Sequence, residues 1–142
     1  MAVHVESLRP RALHPLHAVL LAGTLPLFLG ALLSDIAYAQ SYQIQWTNFA
    51  SWLIVGGLVL SGAVAVFALA HLLRTRHRDG AAILYVALVL ATWILGFVNA
   101  LVHAKDAWAA MPAGLVLSAV VLLLACMATW IGFSMPRTGD TP

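Results

Sequence analysis

The chain has 142 residues, of which 63% are hydrophobic and only 8% are charged, and its formal net charge is +2. This number of polar residues is too small to cover the surface of a soluble globule. Most of the surface must therefore face lipid or neighbouring helices. The small positive charge is explained by the basic loops described below and gives no indication of nucleic-acid binding.

Four long apolar stretches follow one another along the chain, at residues 16–37, 49–73, 81–104 and 113–133. Each is close to the roughly 20 residues that a helix needs to cross the hydrocarbon core of a bilayer. Unpaired backbone amides are costly in lipid, and the stretches lack the alternation of barrel strands. The sequence therefore predicts an all-α integral membrane four-helix bundle, in one domain spanning residues 1–142, with a tail at 137–142.

The first stretch also has some features of a secretory signal peptide. Arg9 and Arg11 precede it, and Ala37-Tyr38-Ala39 is similar to a cleavage site. However, the apolar run at 18–33 is slightly longer than a signal core of roughly 7–15 residues, and Asp35 lies just before the cleavage site. Retention of this segment as the first membrane helix is the favoured interpretation.

Basic residues alternate between the loops. Of the seven Lys and Arg residues, six precede helix 1, lie between helices 2 and 3, or follow helix 4; the remaining one is Lys105. The positive-inside bias therefore predicts that both termini are cytoplasmic. Aromatic residues such as Trp52 and Trp108 surround the two outer loops, as expected at headgroup depth. The first outer loop, residues 40–48, is polar and uncharged, and we expect it to lie along the interface.

Polar residues inside the apolar stretches form stripes at helical spacing. The stripe on helix 3 comprises Tyr85, Thr92, Gly96, Asn99 and His103, and the stripe on helix 1 runs from His17 to Asp35. At about 100° per residue, the members of each stripe share one face. Because polar groups avoid lipid, these faces are predicted to line the bundle interior.

The outer ends of helices 1 and 3 carry a candidate polar cluster, formed by Asp35, Asn99, His103 and Asp106. Asp35 and His103 are both on inward faces at the same membrane surface, so we predict that their side chains lie within hydrogen-bonding or close electrostatic reach. Such a pair has two interpretations that the sequence leaves open. It either fixes the two helices together or forms a proton-responsive or ligand-binding site.

The inner ends carry three histidines. His14 and His17 lie at positions i and i+3 at the start of helix 1, and His71 lies at a similar depth on helix 2. Such a set could bind a transition metal or supply axial ligands to a haem, such as haem b. The alternative is that these imidazoles are solvated at the headgroup level, and no cofactor is the favoured expectation.

Several segments together resemble a known bacterial family. They are His14-Pro15-Leu16-His17, Asp35, Phe49-Ala50-Ser51-Trp52, His103-Ala104-Lys105-Asp106-Ala107-Trp108 and Gly114-Leu115-Val116-Leu117-Ser118. In this order they resemble the family named domain of unknown function 2231. The resemblance implies a four-helix protein of the bacterial inner membrane with no assigned activity. Some relatives are joined to dehydrogenase or cytochrome parts, but this chain has Tyr85 where many members carry a histidine.

Three classes of function follow from these observations. Motifs for nucleophilic catalysis, phosphate binding and dinucleotide binding are absent from the sequence, which favours a non-enzymatic accessory or scaffold subunit. The alternatives are a haem- or metal-binding electron-transfer subunit, with a membrane or periplasmic redox partner, and a small transporter or proton-linked sensor. The glycines Gly23, Gly30, Gly56 and Gly62 could also serve contacts between protomers of a homo-oligomer.

Overall fold

The computed structural model describes residues 14–75 and 79–135, and within them the chain is helical with no strand. The helices are α1 (Pro15–Ser41), α2 (Ile44–Arg74), α3 (Gly80–His103), the single-turn α4 (Ala107–Ala110) and α5 (Ala113–Ser134). All except α4 are long and apolar enough to cross a membrane. The predicted all-α membrane fold with four spanning helices is confirmed.

The helix ends differ from the prediction mainly at the first connection. Helices α3 and α5 agree with it within one residue, whereas α2 begins five residues earlier than expected. The predicted interfacial loop at 40–48 is therefore reduced to residues 42–43, where Tyr42 adopts a left-handed conformation with φ 56° and ends α1. Uncharged polar side chains can be solvated at the headgroup level while their backbone stays helical, so the helices extend beyond the apolar stretches. The basic residues Arg9, Arg11, Arg76, Arg78 and Arg137, and the predicted tail, lie outside the described residues.

The four long helices form a closed ring. Helix α1 packs against α2 and α5, and α3 packs against the same two neighbours, so α1 and α3 face each other across the bundle axis. Among the described residues, two side-chain hydrogen bonds join this diagonal pair, His17 to Tyr85 and Asp35 to His103, and both connect residues 68 positions apart. Equal separation means that α1 and α3 run parallel and in register, with the two contacts about 27 Å apart along the axis.

The interior between these two contacts is mainly apolar, and the buried hydroxyls of Thr24, Ser61 and Thr92 bond to backbone carbonyls of their own helices. Phe28 lies in the middle of α1 and is 2% exposed, with Val121 and Ala125 of α5 packed around it. A Cβ placed on Gly57 of α2 would lie 2.5 Å from Phe28 Cε1, so the absence of a side chain at Gly57 gives the ring its space. This apolar layer separates the two polar ends of the bundle.

The glycines considered for contacts between protomers pack inside the chain's own bundle. Built Cβ atoms on Gly23 and Gly30 would lie 3.0 and 3.1 Å from leucine side chains of α2. Gly56 faces Leu27 of α1, and Gly62 faces Trp93 of α3. Their small size is therefore explained by close approach of neighbouring helices within one chain.

Candidate functional site: a buried acid–imidazole network

One end of the bundle, which we call the Asp35 end, contains a network of four buried polar side chains. Asp35 comes from α1, Asn99 and His103 come from α3, and Ser118 comes from α5. None of the four is more than 5% exposed, and Asp35 is 0% exposed. The network joins three of the four spanning helices where each has a polar residue on its inward face.

The expected contact between Asp35 and His103 is present. Asp35 Oδ1 lies 2.8 Å from His103 Nε2, and Asp35 Oδ2 accepts a hydrogen bond of 2.6 Å from the Ser118 hydroxyl. Both carboxylate oxygens are thus engaged, one by each neighbouring helix. A buried carboxylate needs such compensation, because isolated charges are very costly in an apolar interior.

The positions of the protons follow from the hydrogen-bond partners. His103 Nδ1 lies 3.0 Å from the backbone carbonyl of Asn99, and a carbonyl oxygen only accepts, so Nδ1 carries a proton. The remaining contact of the ring, between Nε2 and Asp35 Oδ1, then contains one proton. Either an imidazolium donates to a carboxylate, or a carboxylic acid donates to a neutral imidazole. In both cases the pair is neutral overall.

The side-chain amide of Asn99 is also oriented by its partners. The Ser118 hydroxyl donates to Asp35, so its oxygen accepts from Asn99 Nδ2 at 2.9 Å. The amide oxygen Oδ1 must therefore point elsewhere, and it has no hydrogen-bond partner among the described residues although Asn99 is 1% exposed. A buried acceptor of this kind is usually satisfied by a small donor such as an ordered water.

Gly114 of α5 is the close-packing residue of this site. A Cβ at Gly114 would lie 2.8 Å from His103 Cε1 and 3.3 Å from Nε2, so the imidazole rests directly against the backbone of α5. Only glycine leaves room for the ring here. The ring is therefore held on three sides, by Asp35, by the Asn99 carbonyl and by α5.

Asp106 does not join this network. It is exposed and precedes the short helix α4, where its side chain forms no capping hydrogen bond. Helix α3 ends at His103, and the chain turns away over the next residues. The structure therefore brings together three of the four residues expected in the outer cluster and adds Ser118. The sequence singled out Ser118 within the family-like segment 114–118 and not as a member of the cluster.

The opposite end, which we call the His17 end, has its own polar contact between α1 and α3. His17 is 6% exposed and its Nε2 lies 2.7 Å from the Tyr85 hydroxyl. His14 is exposed at the start of α1, and His71 is exposed near the end of α2, 3.4 Å from the Thr75 hydroxyl. Among the described residues no three His, Cys, Asp or Glu side chains are arranged to hold a metal ion. The three predicted histidines are thus not brought together as one ligand set, because His17 faces the interior and the other two face outwards.

The fold and the network define a polytopic α-helical membrane protein with a buried acid–imidazole pair between two parallel helices. The chain belongs to the family described as predicted membrane protein, domain of unknown function 2231, which it matches over residues 13–138. No curated protein and no solved structure matches the chain.

Proposed function

We propose that the protein is a non-enzymatic accessory or scaffold subunit of the bacterial inner membrane, with both termini in the cytoplasm. The observation that carries this proposal is the use of the buried polar groups at the Asp35 end. Asp35, His103 and Ser118 contact one another rather than facing an open cleft. Groups arranged in this way hold helices together and do not meet a substrate.

The lipid-facing surface supports the same proposal. Large apolar side chains are exposed along all four spanning helices, and Trp52, Trp108 and Trp130 are each at least 74% exposed. Two shallow depressions lie on the outer side of α5, around Cys126 and Trp130. Such a surface can take up lipid or the helices of a larger membrane protein, which would then supply the chemistry.

The proposal is tested by identifying the proteins that remain bound to this chain when it is extracted from its own membrane. Tagged protein at native expression level is extracted with styrene–maleic acid copolymer, which avoids detergent. An accessory subunit should carry a second protein at a fixed molar ratio that survives gel filtration. A tagged membrane protein of similar size, expressed equally, controls for incidental capture. Particles that contain only this chain and lipid would contradict the proposal.

Orientation is tested with reporter fusions. A reporter fused between α2 and α3 should be active in the cytoplasm, and one fused beside Trp108 should be active in the periplasm. The opposite pattern would place the Asp35 end in the cytoplasm and would contradict the proposal that both termini are cytoplasmic.

The electron-transfer alternative is tested by a visible absorption spectrum of the same particle. His17 Nε2 already contacts the Tyr85 hydroxyl, and His71 is exposed, which does not favour a bis-histidine haem between α1 and α2. We therefore expect no Soret band. A reduced-minus-oxidised haem spectrum lost in the double variant His17→Ala and His71→Ala would replace the scaffold proposal with the electron-transfer alternative.

A further inference from the structure

We propose that the Asp35–His103 pair is a binding site for a single exchangeable proton, and that this proton exchanges with the aqueous phase at the Asp35 end only. This inference does not depend on the scaffold proposal. Its ligand is the proton carried by water, and its chemistry is that of a carboxylate and an imidazole nitrogen that share it.

The hydrogen bonds around the pair leave one proton position undecided. His103 Nδ1 is committed to the Asn99 carbonyl, and the Ser118 hydroxyl is committed to Asp35 Oδ2. Only the proton between Asp35 Oδ1 and His103 Nε2 can be lost without breaking another contact. Its loss leaves a carboxylate oxygen and a nitrogen lone pair facing each other, and two acceptors at hydrogen-bond distance repel.

Other titratable groups do not compensate for this charge. Asp35 contacts His103 from α3 and Ser118 from α5. The residues that α2 and α4 bury at this end are uncharged, namely Thr47, Ala50, Ala107 and Ala110. Tyr38, three residues after Asp35 on α1, is a buried phenol, and Lys105 and Asp106 are exposed beyond the end of α3. Within the described residues, the charge state of this junction is therefore set by the shared proton.

Of the three unpartnered buried oxygens among the described residues, two lie at this end, where water would satisfy them, and the third, Thr129 Oγ1, lies eleven residues from Ser118 along α5. Asn99 Oδ1 belongs to the network itself and has no partner among the described residues. Thr47 Oγ1 on α2 is also unpartnered, although Thr47 is 5% exposed. The contacts of Gly23 with Leu60 and of Gly30 with Leu53 set the register of α1 against α2, and they place Thr47 level with the residue after Asp35. A water bonded to Thr47 would receive the released proton on the side of the nearer surface.

The apolar layer blocks exchange with the other end. Phe28 lies seven residues from Asp35 on α1, about 10 Å further into the bundle. Its ring fills the space beside Gly57, and Val121 at 0% exposure closes the same level on α5. Water and protons from the His17 end would have to cross this layer. Release of the proton thus responds to one compartment and weakens the α1–α3 contact at that end.

The proton count is tested by nitrogen NMR of protein labelled with ¹⁵N-histidine in lipid nanodiscs, from pH 4 to pH 9. Loss of a signal in His103→Gln assigns the His103 ring. We expect Nδ1 to be protonated throughout and the Nε2 signal to change across the range, because Nε2 either carries the shared proton or accepts a hydrogen bond from it until that proton leaves. In Asp35→Asn the amide donates to Nε2, so the ring should stay neutral where the wild-type ring changes. A wild-type ring with bare Nδ1, or identical titration in both proteins, would overturn the proposal.

Sidedness is tested in proteoliposomes with a strongly buffered interior and a step in external pH. The readout is the infrared signal of the pair, taken as the carboxyl or carboxylate band that disappears in Asp35→Asn, whose position depends on the shared proton in either form of the pair. The fraction of molecules in each orientation is measured by protease removal of a C-terminal tag. We expect a fast phase whose amplitude equals the fraction with the Asp35 end outside, followed by a slow phase for the remainder. A single fast phase in vesicles of mixed orientation, or no fast phase, would overturn access from one end.

Discussion

The two ends of the bundle present the same helix pair with different chemistry. At both ends a side chain of α1 meets a side chain of α3 across the axis, with the same separation in sequence. At the His17 end the partners are an imidazole and a phenol, neither of which has to be charged at neutral pH. At the Asp35 end the partners are a carboxylate and an imidazole, and α5 contributes a third group. The helix arrangement determines which residues meet at each end. The types of those residues determine how much each contact contributes to the free energy of unfolding.

The largest expected effect is that of Asp35→Ala. It removes the partner of both His103 and Ser118 in a buried site, and breaking a buried pair costs about 3–5 kcal/mol. The free energy of unfolding, measured by SDS titration in mixed micelles, should fall by this amount. A loss no greater than that of Tyr85→Phe would mean that the two ends do not differ in the way described.

Ser118→Ala should come next. It leaves both Asp35 Oδ2 and Asn99 Nδ2 without their partner, at about 1–3 kcal/mol for each group that water does not satisfy. Ser34→Ala is the matched control, because the Ser34 hydroxyl bonds only to the Gly30 carbonyl one turn before it. Equal stability losses for the two variants in the same titration would show that the contact across helices adds nothing.

Gly114→Ala should cost about 1–3 kcal/mol through overpacking, because the new methyl group meets an imidazole held by two hydrogen bonds. Gly132→Ala at the His17 end should cost slightly less, since its nearest contact, at 2.8 Å, is the flexible end of Leu21, and the rigid Tyr85 ring lies at 2.9 Å. Gly80→Ala, with nothing within 4 Å, is the control for helix propensity. Thermal unfolding in detergent measures the loss of stability in the three variants. A larger loss for Gly132→Ala than for Gly114→Ala would contradict the expected difference between the two ends.

The smallest expected effect is that of Tyr85→Phe, which removes the hydroxyl that contacts His17 and keeps the ring against Gly132. One neutral hydrogen bond contributes about 0.5–1.5 kcal/mol. The SDS titration used for Asp35→Ala measures it under the same conditions. A loss of several kcal/mol would show that the His17 end is as strongly coupled as the Asp35 end.

The sequence predicts the fold well because a membrane restricts the choice of secondary structure and length. Helices α3 and α5 are found almost where hydropathy places them, whereas α1 and α2 extend into a polar segment whose helicity hydropathy does not report. Helix α4 has four residues, too few for a periodic signal.

The site was predictable in part for a similar reason. Spacing along one helix gives the face and the depth of a residue, which was enough to pair Asp35 with His103. It does not give the rotation of the neighbouring helices. The participation of Ser118 and the outward direction of His71 both depend on that rotation, so neither followed from the sequence.

The parallel register of α1 and α3 has a consequence for the lipid that surrounds the protein. Its two polar contacts are about 27 Å apart, and the helices between them cannot shorten independently. The bundle therefore fits best in a bilayer whose hydrocarbon thickness matches its fixed length. In a bilayer several ångströms thicker, the ends of the bundle would be drawn below the headgroups, and the bilayer would have to thin around the protein at a cost of fractions of a kcal/mol per Å. We expect the protein to concentrate in membrane regions whose hydrocarbon thickness fits this fixed distance.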